Sequence, residues 1–324
     1  MIEIENLTKK FGPIAAVRGI DLNVAKGEVL GFLGPNGAGK STTMKIIAGY
    51  LTPTTGRVRI AGIDVEVAPQ AAQRVLGYLP EGAPAYGDMT PFQFLKFIAE
   101  VRGYSGVEAK TRAAAAAEKT ELGPVLEQPI DTLSKGFKRR VGLAQAILHD
   151  PPVLVMDEPT DGLDPNQKFS VRRLIREMAS EKAIIISTHL LEEVDAVCTR
   201  AVIIDRGRVV ADGTPAELLT RSRHHNAVTL CLPKAQGIDA KEKIGAHPKV
   251  SAIEDGGEEN GLVTLTAFPR GAELLIEDIS VMAAQEKWDV KQLYAEAGRL
   301  DEVFRSLTTS DSERAREKIE GIAA

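Results

Sequence analysis

The chain has 324 residues, 44% hydrophobic and 26% charged, with a net charge of −5 at pH 7; this is ordinary for a folded protein and long enough for one large domain and a smaller one. The acidic balance argues against a nucleic-acid partner, whose binders are usually basic. Two cysteines, Cys198 and Cys231, exclude a disulfide framework and fit a reducing compartment, each as a small buried apolar residue.

From the start, Ile2 and Ile4 alternate with Glu3 and Glu5, and Ile20, Leu22 and Val24 alternate with polar residues; both patterns predict half-buried strands. EVLGFL is a continuous apolar strand that runs into GPNGAGKST. From about Gly82 to Asp150 the pattern turns helical. Thr90 and Gln93 form a capping-box pattern around Pro91, and RAAAAAEKTEL is a strong helix former. PVLVMDEP and KAIIIST predict buried strands on either side of a helical NQKFSVRRLIREMASE. AVIIDRGRVVADG reads as a hairpin turning at Arg206-Gly207.

After about Thr220 the polar RSRHHN predicts a linker or boundary. Beyond it AVTLCL, KVSAIED, GLVTLTAF and WDVKQLYAE predict strands, with GAELLIEDISVMAAQE helical between the last two. A βαββαβ order is expected, with Trp288 in its core and SERAREKIEGIAA as a charged helical tail. No apolar run reaches the length of a membrane span and MIEIENLTKKFG is not a signal peptide. A cytosolic chain is expected, touching membranes only through a partner.

The spacing Gly34-x4-Gly39-Lys40-Ser41, after a strand and before a helix, matches a P-loop. In the loop Gly34, Pro35, Asn36, Gly37, Ala38 and Gly39, the glycines let the backbone N–H groups, which Pro35 alone lacks, turn toward phosphate oxygens, with the positive helix end behind them. Lys40 is expected to reach the β- and γ-phosphates, and Ser41, followed by Thr42, to ligate Mg²⁺. In VLVMDEPTDGLDP an apolar strand delivers Asp157 and Glu158 at its carboxyl end, where α/β sheets bind ligands. Alone this reads equally as a strand end with solvated acids. With the P-loop upstream, Asp157 becomes the expected Mg²⁺ ligand and Glu158 the group that polarises attacking water. Ser134 in LSKGFKRRVGLAQAILHDP reads as the N-cap of a helix with an apolar stripe at Val141, Ala144 and Leu148, giving a second anion site with Gly136.

LSKGFKRRVGLAQAILHDP, just ahead of the Asp-Glu strand, resembles the signature segment of ATP-binding cassette (ABC) ATPases. The other motifs follow in order over Met1 to about Thr220: the glycine loop as Walker A, VLVMDEP as Walker B, GLDP (with Asp164) as D-loop, GYLPEG as Q-loop and His189 as switch histidine. Phe11 matches the aromatic that stacks on adenine. The resemblance implies a P-loop NTPase cassette of α/β class, a RecA-like core with an antiparallel β subdomain and a helical subdomain at about 82–150. A small C-terminal α+β domain, 221–324, is expected to be regulatory or dimer-stabilising. It implies ATP and Mg²⁺ as cofactors, and a homodimer in which Ser134, Lys135 and Gly136 bind the γ-phosphate held by the other copy. Glu158, His189, Lys40 and Glu81 are the implied catalytic residues, with Ser41, Glu81 and Asp157 on the metal.

Lys135 and Phe137 depart from the common Leu-Ser-Gly-Gly-Gln signature, and Glu81 stands where glutamine is usual. These departures and the closing GRLDEVFRSLT resemble the ABC-2 exporter branch, including gliding-motility-associated ATPases. The implied function is a motor subunit docked on a separate integral-membrane permease, peripheral on the cytoplasmic face of the inner membrane. The alternative is a soluble ABC ATPase acting on ribosomes or DNA, against which stand one cassette, no sustained heptads and no basic tail. Smaller expectations are that at least two of Phe92, Phe94 and Phe97 are core, that Lys138-Arg139-Arg140 is a solvated helix face, and that His149, His224 and His225, with no acidic or cysteine partners at ligand spacing, form no metal site beyond that for Mg²⁺.

Overall fold

The computed structural model describes residues 1–271 and 273–308, so the expected helical tail SERAREKIEGIAA lies outside the described residues. The chain divides into two compact units. The first is Met1–Pro215, with Leu307 and Thr308 among the described residues; the second is Ala216–Ser306.

The first unit opens with β1 (Ile2–Phe11), β2 (Ile14–Val24) and β3 (Val29–Leu33), followed by α1 (Lys40–Ile47). Then come β4 (Thr55–Ile60), β5 (Ile63–Asp64), α2 (Pro69–Arg74) and β6 (Leu76–Leu79). A helical stretch holds α3 (Pro91–Val101), α4 (Gly106–Lys119) and α5 (Lys135–Ile147). The chain returns to α/β with β7 (Val153–Asp157), α6 (Pro165–Ala179), β8 (Ala183–Thr188), α7 (Leu191–Val197), β9 (Arg200–Asp205) and β10 (Arg208–Gly213).

Two sheets result. One is antiparallel, in the order β2-β1-β4-β5. The other, β10-β9-β3-β8-β7-β6, is parallel except for β10. Strands β3, β7 and β8 are buried at every position, as expected of a parallel sheet covered on both faces. Alternation along them divides the core. Leu30, Phe32, Val153, Val155 and Ile185 face one cluster with α1 and the antiparallel sheet. Leu154, Met156, Ile184 and Ile186 face the other, with α5 and α6.

Local chemistry explains the helix starts. Thr90 and Gln93 form the full capping box, with Pro91 at the first helical position. Phe94 is fully buried, Phe92 half-buried against the same cluster, and Phe97 meets Tyr86 edge-on at 5.7 Å. The β9–β10 turn has Arg206 at φ 49° and Gly207 at φ 75°, the paired positive angles that suit a tight hairpin.

His149, beyond α5, bonds the Leu76 carbonyl through Nε2 at 3.0 Å. Burial, aided by the nearby Arg102, lowers its pKa from the usual 6.5 to about 4. The unfolded chain therefore takes up this proton first as pH falls. The stability contributed by neutral His149 is complete above pH 6.5 and lost as pH falls through about 4. Thermal unfolding midpoints measured from pH 7 to pH 4 are expected to fall less steeply in His149→Gln than in the native chain; identical slopes would remove His149 from the acid response.

In the second unit, after α8 (Pro215–Leu219), come β11 (Val228–Pro233), α9 (Lys234–Gly245), β12 (Val250–Glu259), β13 (Leu262–Pro269), α10 (Ile276–Gln285), β14 (Gln292–Ala295) and α11 (Leu300–Leu307). The strands form an antiparallel sheet in the order β12-β13-β11-β14, a split βαβ arrangement. Trp288 is 8% exposed in its core, with Nε1 donating to Asp239 at 2.9 Å. RSRHHN is more ordered than a linker. Ser222 Oγ and His224 Nδ1 both bond Glu302 of α11, at 2.5 and 2.9 Å, an acidic partner for His224 that the fold brings from far along the chain. Among the described residues no helix is long and apolar enough to cross a membrane.

Candidate active site

The carboxyl ends of β3, β6, β7 and β8 lie along one edge of the parallel sheet, and every catalytic residue expected from the sequence follows one of them. Beyond β3, Gly34, Pro35, Asn36, Gly37 and Ala38 form the loop, and Gly39 caps α1. Gly39 has φ 108°, and a Cβ there would stand 2.5 Å from the Ala16 carbonyl oxygen, so the position admits only glycine. Lys40 is 7% exposed and donates to the Gly34 and Pro35 carbonyls at 2.6 and 3.3 Å. Its cation is thus held inside the loop. Ser41 and Thr42 follow on the first turn, half-buried, and Thr43 bonds back to Gly39 at 2.9 Å.

Asp157 closes β7 at 1% exposure. Its Oδ1 accepts from Ser187 Oγ, opposite it on β8, while its Oδ2 is buried without a hydrogen-bond partner. A buried carboxylate oxygen with no donor suits a divalent cation. Glu158, the next residue, has φ 54°, an uncommon angle for a residue with a side chain. Its N–H donates to the Ser187 carbonyl at 3.0 Å, and its Oε1 accepts from His189 Nδ1 at 2.8 Å. The fold thus brings Glu158 and His189 together from neighbouring strand ends. Glu81 is exposed just beyond β6. Phe11, at the end of β1, is 47% exposed with the Lys9 ammonium 5.2 Å from its ring centre.

Ser134 is the N-cap of α5, its Oγ accepting from the Phe137 N–H at 3.3 Å. Gly136 is buried, and Lys135 pairs with Asp161 at 2.8 Å; that hydrogen bond holds the Asp161 carboxyl below its usual range. Asp164 caps α6, accepting from the Gln167 N–H at 2.9 Å. Ser134 and Lys135 are both exposed, so this end of α5 is presented outward.

The Lys138-Arg139-Arg140 run departs from expectation. Arg139 and Arg140 are 5% and 6% exposed, not solvated. Arg139 donates to the backbone carbonyls of Pro80, Asp157 and Glu158. Arg140 bonds the Glu121 carbonyl at 3.1 Å and lies 4.3 Å from the Phe137 ring centre. Burial lowers the Arg139 pKa, opposed by the charges of Asp157, Asp161, Glu158 and Glu81. The signal was present: Gly136, Arg139, Leu143 and Ala146 share one helical face, so the buried stripe extends back through the arginines.

The family model described as ABC transporter matches residues 17–161. The probable multidrug ABC transporter ATP-binding protein YbhF of Escherichia coli (strain K12) is 36% identical over 223 residues, 68% of this chain and 38% of that protein; this chain therefore spans well under half of YbhF. The daunorubicin/doxorubicin resistance ATP-binding protein DrrA of Streptomyces peucetius is 33% identical over 308 residues, 95% of this chain and 92% of that protein. Among solved structures, the dimeric post-hydrolysis state of the cassette MJ0796 bound to ADP and Pi matches with TM-score 0.62 and 25% identity, over 66% of this chain and 98% of that one.

Proposed function

We propose, from the premise that this chain belongs to the family of ABC transporter ATP-binding proteins, that it is the ATP-hydrolysing motor subunit of an ABC-2 type exporter. It works as a homodimer on a separate permease, peripheral on the cytoplasmic face of the membrane. The observation that carries the reading is the convergence at one sheet edge of the Lys40 loop, the buried Asp157 oxygen and the Glu158–His189 pair. The likeness to a drug-resistance ATP-binding protein along nearly its whole length supports the transport role.

In this reading the loop N–H groups and Lys40 hold the β- and γ-phosphates of ATP, and Phe11 packs against the adenine. Ser41, Glu81 and Asp157 would hold Mg²⁺, which when bound would offset charge on the phosphates. Glu158 accepts a proton from the attacking water as the water oxygen bonds to the γ-phosphorus and the bond to ADP breaks. His189 Nδ1–H fixes the Glu158 carboxylate during that transfer. The outward Ser134, with the α5 N-terminus behind it, caps the γ-phosphate held by the loop of a second copy. A groove of about 860 Å³ lined by Tyr50, Gln73, Tyr78, Arg102 and Tyr104 is assigned to the permease.

Ser134→Ala tests the shared site. Turnover is expected to fall about 100-fold, while ATP binding to the monomer, measured by calorimetry, stays within about threefold. Loss of monomer binding would make Ser134 a support of the fold and remove it from the dimer site.

A further inference from the structure

We propose that Arg139 is the positioning residue for Glu158, tying the backbone that carries the general base to the helix that presents Ser134. This rests on the proposed role of Glu158 and extends it to a residue that touches neither nucleotide nor metal.

Three observations support it. The Arg139 guanidinium bridges two strand ends: one nitrogen donates to the Pro80 carbonyl at 2.8 Å, and the other to the carbonyls of Asp157 and, at 2.6 Å, Glu158. Two consecutive carbonyls converging on one nitrogen bring like dipole ends together, an arrangement that a cation relieves. Glu158 also carries the strained positive φ, and such angles persist only where the surroundings fix them. Its N–H is fixed by Ser187 and its carbonyl by Arg139, so the direction of its side chain follows from both.

The third observation concerns α5 itself. It lies so close to β6 that a Cβ on Gly77 would stand 2.2 Å from the Ala146 carbonyl oxygen. A helix packed this tightly transmits displacement in place of absorbing it. A shift at Ser134, five residues before Arg139 on the same helix, therefore reaches both Glu158 and the backbone preceding Glu81. Only arginine has the planar set of donors to hold both strand ends at once; lysine has the charge and the reach for one.

The test is single-turnover and steady-state ATP hydrolysis by the full chain, with thermal unfolding measured on each variant. Arg139→Met, which keeps length and removes the donors, is expected to lower kcat about 100-fold with KM for ATP within about threefold. Arg139→Lys is expected to recover about tenfold of that loss. In a Glu158→Gln background, Arg139→Met is expected to add less than about threefold, because residues that act as one unit do not add. A full multiplicative loss in that background, a native kcat in Arg139→Met, or a rise in KM alone would each overturn the proposal while leaving Glu158 as base. If Arg139→Met does not fold, Arg139→Lys carries the same cycle, and a native kcat or full additivity in it overturns the proposal equally. Unaltered turnover in Glu158→Gln would overturn the base assignment, and this proposal with it.

Discussion

Glu158→Gln is expected to lower kcat for ATP by about 10²–10⁴-fold, the range that a positioned general base contributes, while ATP binding persists. The substitution keeps the shape of the side chain and leaves an oxygen for the His189 Nδ1–H, which now donates at 2.8 Å. What it removes is the ability to take a proton from water. If ATP bridges two copies and hydrolysis parts them, a chain that binds without cleaving accumulates as a dimer. Light scattering with ATP and Mg²⁺ should then report a doubled mass for Glu158→Gln, and a monomer mass for the native protein after turnover. A monomer at saturating ATP and Mg²⁺ would refute the two-fold arrangement, and native turnover would refute the role of Glu158.

Lys40→Ala is expected to weaken ATP binding by about 100-fold or more, since a charge-assisted hydrogen bond contributes about 1.5–3 kcal/mol and this ammonium is placed to make more than one. The side chain is buried and its Nζ now bonds Gly34 and Pro35 carbonyls. Truncation therefore also loosens the loop, and a thermal unfolding measurement separates the two effects. A folded variant with native affinity by calorimetry would remove the loop from the nucleotide site.

Much of this architecture was legible in the chain. The apolar runs of β3, β7 and β8 lead into a glycine loop, an acidic pair and a histidine, and the capping box and the Arg206-Gly207 turn have local chemistry that needs no tertiary help. What escaped depends on backbone brought from elsewhere. The partners of Arg139 are carbonyl oxygens at the ends of β6 and β7, which leave no mark on side-chain identity, so a run of three basic residues read as solvated. Distance along the chain hid the bond between the side chains of His224 and Glu302, which are 78 residues apart. The contact between Glu158 and His189 was legible only as two separate motifs; the parallel pairing of β7 with β8, with Asp157 opposite Ser187, makes them neighbours.

The most direct test of the motor assignment is affinity purification of tagged Glu158→Gln protein from detergent-solubilised membranes with ATP and Mg²⁺, followed by mass spectrometry. The account predicts a polytopic membrane protein recovered with the chain at near-equal stoichiometry. Recovery of ribosomal or DNA-associated proteins, with no such membrane protein, would contradict it and identify a soluble ATPase of the same fold.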